Sequence, residues 1–420
     1  MADRDGPLGP PLVPDIGVLA LVPDEWNLVW QPRQQVLFRL SRYFHVVWVD
    51  PPRHWRWWAR QDTGRIVPGP TPFTDGDSFA IHRSRLPMAY RPRPLARLLM
   101  RMQLSRAHRL LARRGCTQTL LYLWRPRFAD ALELVPFTRS YYHIDDEYSF
   151  LDHKTPLSEA ERRLIGAVDH VFVASPGLLA EKGGINPNTT FVPNGVDFRA
   201  FSAVSPEPAD LARIRRPRIG YTGVLKSRLD WPLLDHLATV RPDWSFVFVG
   251  PVQRQAATLA AVAELRRLPN VHFLGFKPPQ ALALYPQHFD VCIMPYRMNH
   301  YTDQIYPLKL HEYLASGQPT VGPPIATLAA FEDVVTLVRG WRSWLDAIDR
   351  SLDPAATASQ KKAIRQTVAQ HHDWELIVHT IARTMAARLG PGWQSRLDEA
   401  VERQDVLSSA LGHHPATAWR

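Results

Sequence analysis

What most limits the folds open to this chain is one alternation that occurs twice: short β-branched or aromatic apolar runs separated by stretches of helical periodicity. That rhythm belongs to α/β domains with parallel sheets, because a parallel strand needs a crossover, usually a helix, before its neighbour. In the first half, strands are expected at 16–21, 46–49, 119–123, 139–144, 170–174 and 190–192, with helices at 34–43, 95–113 and 159–168. In the second half, strands are expected at 218–222, 245–249, 271–274, 291–294 and 320–322, with helices at 229–238, 279–285 and 308–316. Beyond residue 339 the pattern is wholly helical, over 341–352 and again over 360–387.

A length of 420 residues suits two domains of roughly 150 to 200 residues each. The expected division is a first α/β domain over 1–200, a linker over 201–216, a second α/β domain over 217–358, helices over 359–390 and a polar tail over 391–420. The linker is placed where Ser205, Pro206, Glu207 and Pro208 interrupt periodicity. The tail, with His413, His414 and Pro415, shows no core pattern and reads as a frayed helical end. No period of about 20 to 50 residues recurs, which argues against a solenoid or propeller.

Apolar residues at 45% and charged residues at 21% place the chain among folded proteins and not among disordered ones. Its two cysteines, Cys116 and Cys292, are too few for a disulfide framework or a CxxC metal site, so a reducing cytosol is expected. No run approaches the roughly 18 to 20 apolar residues of a membrane span, and no signal core follows the N-terminus. The formal charge of +10 favours an anionic partner: phosphate, nucleic acid or anionic headgroups. Sign alone does not choose among them, and the excess of arginine over lysine partly reflects compositional bias.

Phosphates favour helix N-termini at the carboxyl ends of parallel strands, where free N–H groups and the helix dipole point at them. The second half offers this twice. Gly220, Tyr221, Thr222 and Gly223 lead into VLKSRLD, so glycines allow close backbone approach while Lys226 and Arg228 stand beside the opening helix. An ordinary strand-to-helix turn with surface bases reads the same way. More specific is YPLKLHEYLASGQP, Tyr306 to Pro319: Leu308 and Lys309 open a helix, Glu312 follows one turn later and Gly317 ends it. A carboxylate there suits a sugar diol, since it accepts two hydroxyl hydrogen bonds. The alternative is an amphipathic helix with a solvated glutamate.

YPLKLHEYLASGQP, preceded by NVHFLGF and DVCIMPY, resembles the donor-domain signature of retaining glycosyltransferases of the GT-B fold (group 1, family 4-like), which have two facing Rossmann-like domains. VFVASPGLL and FVPNGVDFRAF are similar to the end of that family's first domain, and IGYTGVLKSRLDWPLL to the start of its second. The resemblance runs over about residues 19–383, and five motifs in order make it far more specific than any one. It implies an acceptor-binding first domain, a donor-binding second domain and C-terminal helices that cross back to the first. It also implies that Glu312 contacts donor ribose hydroxyls, that Leu308 and Lys309 approach the phosphates through their backbone, and that Arg228, with Lys226 as fallback, binds the diphosphate. Gly275, Phe276 and Lys277 match the loop that receives the nucleobase. One departure stands out. Where the family carries the first glutamate of a Glu, seven residues, Glu pattern, this chain has Gln304, with Asp303 adjacent.

On the acceptor side, HIDDEYSF places His143, Asp145 and Asp146 at a strand end, as candidates for acid/base work or acceptor binding, or as a turn with capping aspartates. His143 lies about where relatives carry a histidine near the transferred sugar. WNLVWQPRQQVLFRLSRYFHVVWVDPP resembles the family's first loop and helix, and makes Arg33 and Gln34 candidates for acceptor or phosphate contact. Tyr296, Met298 and Tyr301 are expected to shape sugar choice. The resemblance implies sugar transfer with retention from a UDP- or GDP-linked donor to a glycan or lipid-linked acceptor, with Arg228 and the Leu308 helix start neutralising the departing diphosphate. No metal or other cofactor is required, and no DxD-like pair stands at a donor position.

The segment 91–114, with Leu and Met at helical spacing among arginines, reads as a basic amphipathic helix for an anionic membrane or as an internal helix with a solvated basic face. Trp55, Trp57, Trp58, Arg53, Arg56 and Arg60 stand just upstream. Two further readings share the architecture: a nucleotide-sugar 2-epimerase, using the His143 cluster, and a non-catalytic nucleotide-sugar-binding protein, supported by Gln304. A dinucleotide oxidoreductase lacks its GxGxxG, and a DNA-binding role rests on charge alone.

Overall fold

The computed structural model describes residues 9–26, 30–51, 78–83, 93–147 and 157–410. Trp55, Trp57, Trp58, Arg53, Arg56, Arg60 and Arg91 lie outside the described residues, as do His413, His414 and Pro415. The chain forms two fully parallel sheets. The first comprises β1 (Ile16–Leu21), β2 (His45–Val49), β3 (Phe79–His82), β4 (Gln118–Leu123), β5 (Arg139–Ile144), β6 (His170–Val173) and β7 (Thr189–Phe191), in the order β3-β2-β1-β4-β5-β6-β7. The second comprises β8 (Arg218–Thr222), β9 (Ser245–Val249), β10 (Val271–Gly275), β11 (Val291–Ile293), β12 (Thr320–Gly322) and β13 (Thr336–Leu337), in the order β10-β9-β8-β11-β12-β13. The two edge strands β3 and β13 have no counterpart in the sequence reading, since four and two residues carry too little pattern.

Both faces of the first sheet are covered, which is why strands such as β1 are buried at every position. Leu104, Ala107 and Leu111 of the helix Arg93–Arg113 pack on one face. The other face holds Val36, Leu37 and Leu40 of the helix Pro32–Leu40, together with Trp374, Ile377, Val378 and Ile381 from the far end of the chain. Those last residues belong to Trp374–Leu389, so the helical stretch expected over 360–387 comprises two helices. The helix Ser359–Gln370 stays with the second half, where Arg365 donates to the Gly317 carbonyl at 3.0 Å. Asp373 then caps Trp374–Leu389, accepting from Glu375 N at 2.8 Å, and Val196 bridges to Asp373 where the chain first leaves the first half. The two crossings therefore lie side by side.

The stretch expected as a linker is packed: Phe201, Leu211 and Ile214 are buried in the core of the second sheet. The expected frayed tail begins with a 20-residue helix, Pro391–Ala410, and buries Leu397 in the core of the first sheet. A single leucine every few turns is a weak sequence signal, and only its neighbour Trp374–Leu389 gives it something to pack on.

Candidate functional site

In each sheet the winding reverses once, between β1 and β4 and between β8 and β11, and such reversals open a crevice at the carboxyl ends of the strands. Loops following β1, β4 and β5 and loops following β8, β9 and β10 line one cleft of about 220 Å³, closed by Ile305 to Glu312. Arg33, Arg125, Asp145 and Asp146 come from the first half. Gly223, Lys226, Arg228, Phe276, Lys277, Tyr306, Leu308, Lys309 and Glu312 come from the second.

On the first-half wall, Asp145 lies between two guanidinium groups, 3.4 Å from Arg33 Nη1 and 3.2 Å from Arg125 Nη1. Arg33 also donates to Asp24 and to Gln31 Oε1. Burial lowers the Arg33 pKa to about 10 against the pull of Asp145, so it stays charged near neutrality. Asp146 reaches the other half, accepting a hydrogen bond from Tyr301 Oη at 3.2 Å. Behind this loop, the fully buried Lys182 ammonium joins Glu147 at 2.8 Å and Glu161 at 3.0 Å, an ion triad that fixes where the β5 loop leaves the sheet.

The second-half wall is built on the helix Leu308–Ser316, whose N-terminus has no side-chain cap and no acidic residue in its first turn. Its N–H groups and dipole are left to an anion. Three side chains hold the approach to it by binding three successive carbonyls: Ser175 to Gln304 at 2.6 Å, Thr327 to Ile305 at 2.7 Å and Asn194 to Tyr306 at 2.7 Å. Tyr313 Oη accepts from Thr222 N at 2.8 Å, tying the helix to the end of β8. Gly223 then turns the chain with a φ of +112° toward Lys226 and Arg228. Burial lowers Lys226 to about 8, reinforced by Arg228. Burial likewise lowers Lys309 to about 7, and it raises Glu312 to about 7, opposed by Lys309.

Several expected residues lie elsewhere. His143 is not at the cleft: it is the fifth of six residues of β5, 2% exposed, stacked on Trp124 at 4.2 Å and hydrogen-bonded through Nδ1 to Tyr122 at 2.6 Å. Burial holds its pKa down at about 3, so it is a neutral core residue. β5 runs through Ile144, so His143 lies inside the strand and not in a turn past its end, and it faces the core beside Tyr122 and Trp124. Gln34 serves its own helix, accepting from Gln31 N at 3.1 Å in a capping box, while Gln31 and Gln35 line the cleft instead. Gln304 is 8% exposed and packs its Oε1 against Gly177, away from the cleft wall. Gly275 closes β10, its carbonyl accepting from Gly250 N at 2.8 Å, and only the following Phe276 and Lys277 reach the cleft. Gly220 is a packing glycine: a Cβ there would lie 2.0 Å from the Phe289 ring. Tyr296 and Tyr301 stand behind the wall around Arg228, and Met298 is exposed.

Arg125 and Asn194 are wall residues to which the sequence reading gave no role. Both had a signal, an arginine just past a strand end in YLWRPR and an asparagine inside FVPNG.

Among known proteins, residues 216–353 match the family model described as glycosyl transferases group 1. A curated relative, TuaH of Bacillus subtilis (strain 168), named as a teichuronic acid biosynthesis glycosyltransferase, is 30% identical over 241 residues. The match takes in 54% of this chain and spans 59% of the length of that relative. Two solved structures share the fold. HepE of Anabaena, in complex with UDP and glucose, has a TM-score of 0.61 at 15% identity, over 88% of this chain and 99% of that one. The trehalose-6-phosphate protein of E. coli bound with UDP-2-fluoro glucose has a TM-score of 0.60 at 13% identity, over 89% of this chain and 99% of that one. Residues 216–353 are thus similar to the group 1 glycosyl transferases, and the chain, with two parallel sheets, a cleft at the carboxyl ends of their strands and helices that return to the first sheet, has the GT-B fold.

Proposed function

We propose that this protein transfers a hexose from a UDP- or GDP-linked donor to a glycan or lipid-linked acceptor, with retention, in the synthesis of a cell-surface polysaccharide or glycoconjugate. The observation that carries this reading is the uncapped start of Leu308–Ser316, beside which Lys226 and Arg228 converge with Glu312 on the wall of one cleft. The cations and helix dipole would stabilise the diphosphate as it departs, and Glu312 would accept hydroxyls of the donor. In this reading residues 217–358 hold the donor and residues 1–200 the acceptor, with Arg33, Arg125, Asp145 and Asp146 facing the reacting sugar. Polysaccharide synthesis is supported by the name of the Bacillus relative. A 2-epimerase is disfavoured, because His143 lies in the core and leaves that chemistry without its histidine.

The test is incubation with a panel of nucleotide sugars while measuring free nucleotide. Release from one donor, accelerated by an acceptor, is expected. Tight nucleotide binding with no release from any donor would favour a non-catalytic binding protein.

We place the protein in the cytoplasm, in peripheral contact with the inner face of the membrane. The helix Arg93–Arg113 supports this by turning Leu95 (42% exposed), Leu98 (54%) and Met102 (39%) outward beside Arg101, Arg106 and Arg109. Among the described residues no helix is long and apolar enough to cross a membrane. Co-sedimentation with vesicles should require anionic lipid; equal recovery with neutral vesicles would sink the contact.

A further inference from the structure

Lys309 is the group the donor wall leaves unexplained. The residue is 7% exposed, with Nζ 4.9 Å from the centre of the Tyr221 ring, and among the described residues no carboxylate lies within ion-pair distance. Buried ammonium groups are ordinarily paired, because an unpaired charge is costly outside water. The charged groups facing it are Lys226 and Arg228, from the loop after β8, and Glu312, from its own helix, and of these only Glu312 favours its charge, without touching it. Two of these are cations that oppose its charge.

Gly223 makes the placement possible. A Cβ at this position would lie 2.8 Å from Lys309 Nζ, so a side chain there would displace the amine. The glycine therefore does more than turn the chain: its bare Cα leaves a channel through which Lys309 reaches the wall shared with Lys226 and Arg228. Three amine or guanidinium groups beside an uncapped helix start repel one another, and an anion of more than one charge among them relieves that repulsion.

We propose that the Lys309 side chain, entering through the space left by Gly223, is a direct ligand of the donor's diphosphate. This rests on the donor-site reading above and goes beyond it, since that reading needs only the backbone of Lys309. Bound diphosphate would supply a negative partner in direct contact, which Glu312 is not, and keep the amine protonated.

The test compares calorimetric binding of UDP, GDP, uridine and guanosine to the wild type and to Lys309→Met, which keeps the buried stem. For the base that binds, diphosphate affinity should fall about 10- to 100-fold while nucleoside affinity stays within about twofold. Equal diphosphate affinity in the two proteins overturns the proposal and leaves the donor site standing. Absence of nucleotide binding by the wild type overturns the donor-site reading itself. Should thermal unfolding show that Lys309→Met does not fold, the wild type is labelled with acetic anhydride at about pH 8, where an amine of lowered pKa is nucleophilic. Mass spectrometry should then find Lys309 protected by the diphosphate and not by the nucleoside; equal labelling in both overturns the proposal.

Discussion

Glu312 and His143 show how differently two titratable residues can be used once their surroundings are known. Glu312 lies on the cleft wall, so Glu312→Ala should leave the melting temperature unchanged while lowering kcat/KM for the donor about 100-fold or more, as expected for a lost charged hydrogen-bonding group. Burial raises its pKa to about 7, against Lys309, and burial lowers Lys309 to about 7. The carboxylate is needed ionised and the amine protonated. A pH-rate profile for kcat/KM should therefore be bell-shaped, its acidic limb moved up by the burial of Glu312 and its alkaline limb moved down by that of Lys309, and Lys309→Arg should move the alkaline limb upward. His143 belongs to stability. Its imidazole stacks on Trp124 and bonds Tyr122, so His143→Ala should cost about 2–4 kcal/mol in denaturant unfolding with kcat per folded molecule unchanged. Burial depresses its folded pKa to about 3 from 6.5, so the unfolded chain binds a proton that the native one refuses between those values. Stability should fall as pH drops from about 6.5 toward 3, and His143→Phe should flatten that fall. From the sequence, His143 and Asp145 looked alike, both polar at the end of an apolar run. The end of β5 separated them: His143 lies inside the strand, against Tyr122 of β4 and Trp124 just after it, while Asp145 lies beyond its last residue.

Among the helices, Leu308–Ser316 is the one whose bounds the sequence reading matched, because both of its ends are written in local chemistry. Pro307 precedes it, and Gly317 ends it in the left-handed region at φ +77°. Gly317→Ala would place a methyl 2.4 Å from the Lys362 stem in a conformation that alanine adopts reluctantly. A loss of about 1–2 kcal/mol is expected, read from the urea midpoint at unchanged slope. Other elements were not readable this way. The two-residue β13 is a strand only because β12 offers an edge, and the helical stretch expected over 360–387 divides where it does because Asp373 caps a new helix at the crossing. The clamp of Ser175, Thr327 and Asn194 on the carbonyls of residues 304 to 306 gives a physical account of why VFVASPGLL and FVPNGVDFRAF accompany a donor motif more than a hundred residues away.

The molecule as a whole depends on its far end. Trp374, Ile377, Val378, Ile381, Met385 and Leu397 are buried in the core of the first sheet, each contributing about 1.5–3 kcal/mol. Their sum is on the order of 10 kcal/mol, comparable with the whole stability of a typical domain. A chain ending at residue 372 should therefore be recovered insoluble or fail to unfold cooperatively, and a soluble, cooperatively unfolding product would contradict this packing. The sequence by itself determined the class of fold, nearly all the strands and the donor-side motif, because periodicity, glycine placement and helix ends are local physics. It did not determine which candidates share a cleft. That Arg125 and Asn194 join the wall, that His143 and Gln304 leave it, and that Lys309 comes in through the gap at Gly223 are consequences of strands and helices meeting across long sequence separations, where burial and charge depend on neighbours the local pattern does not name.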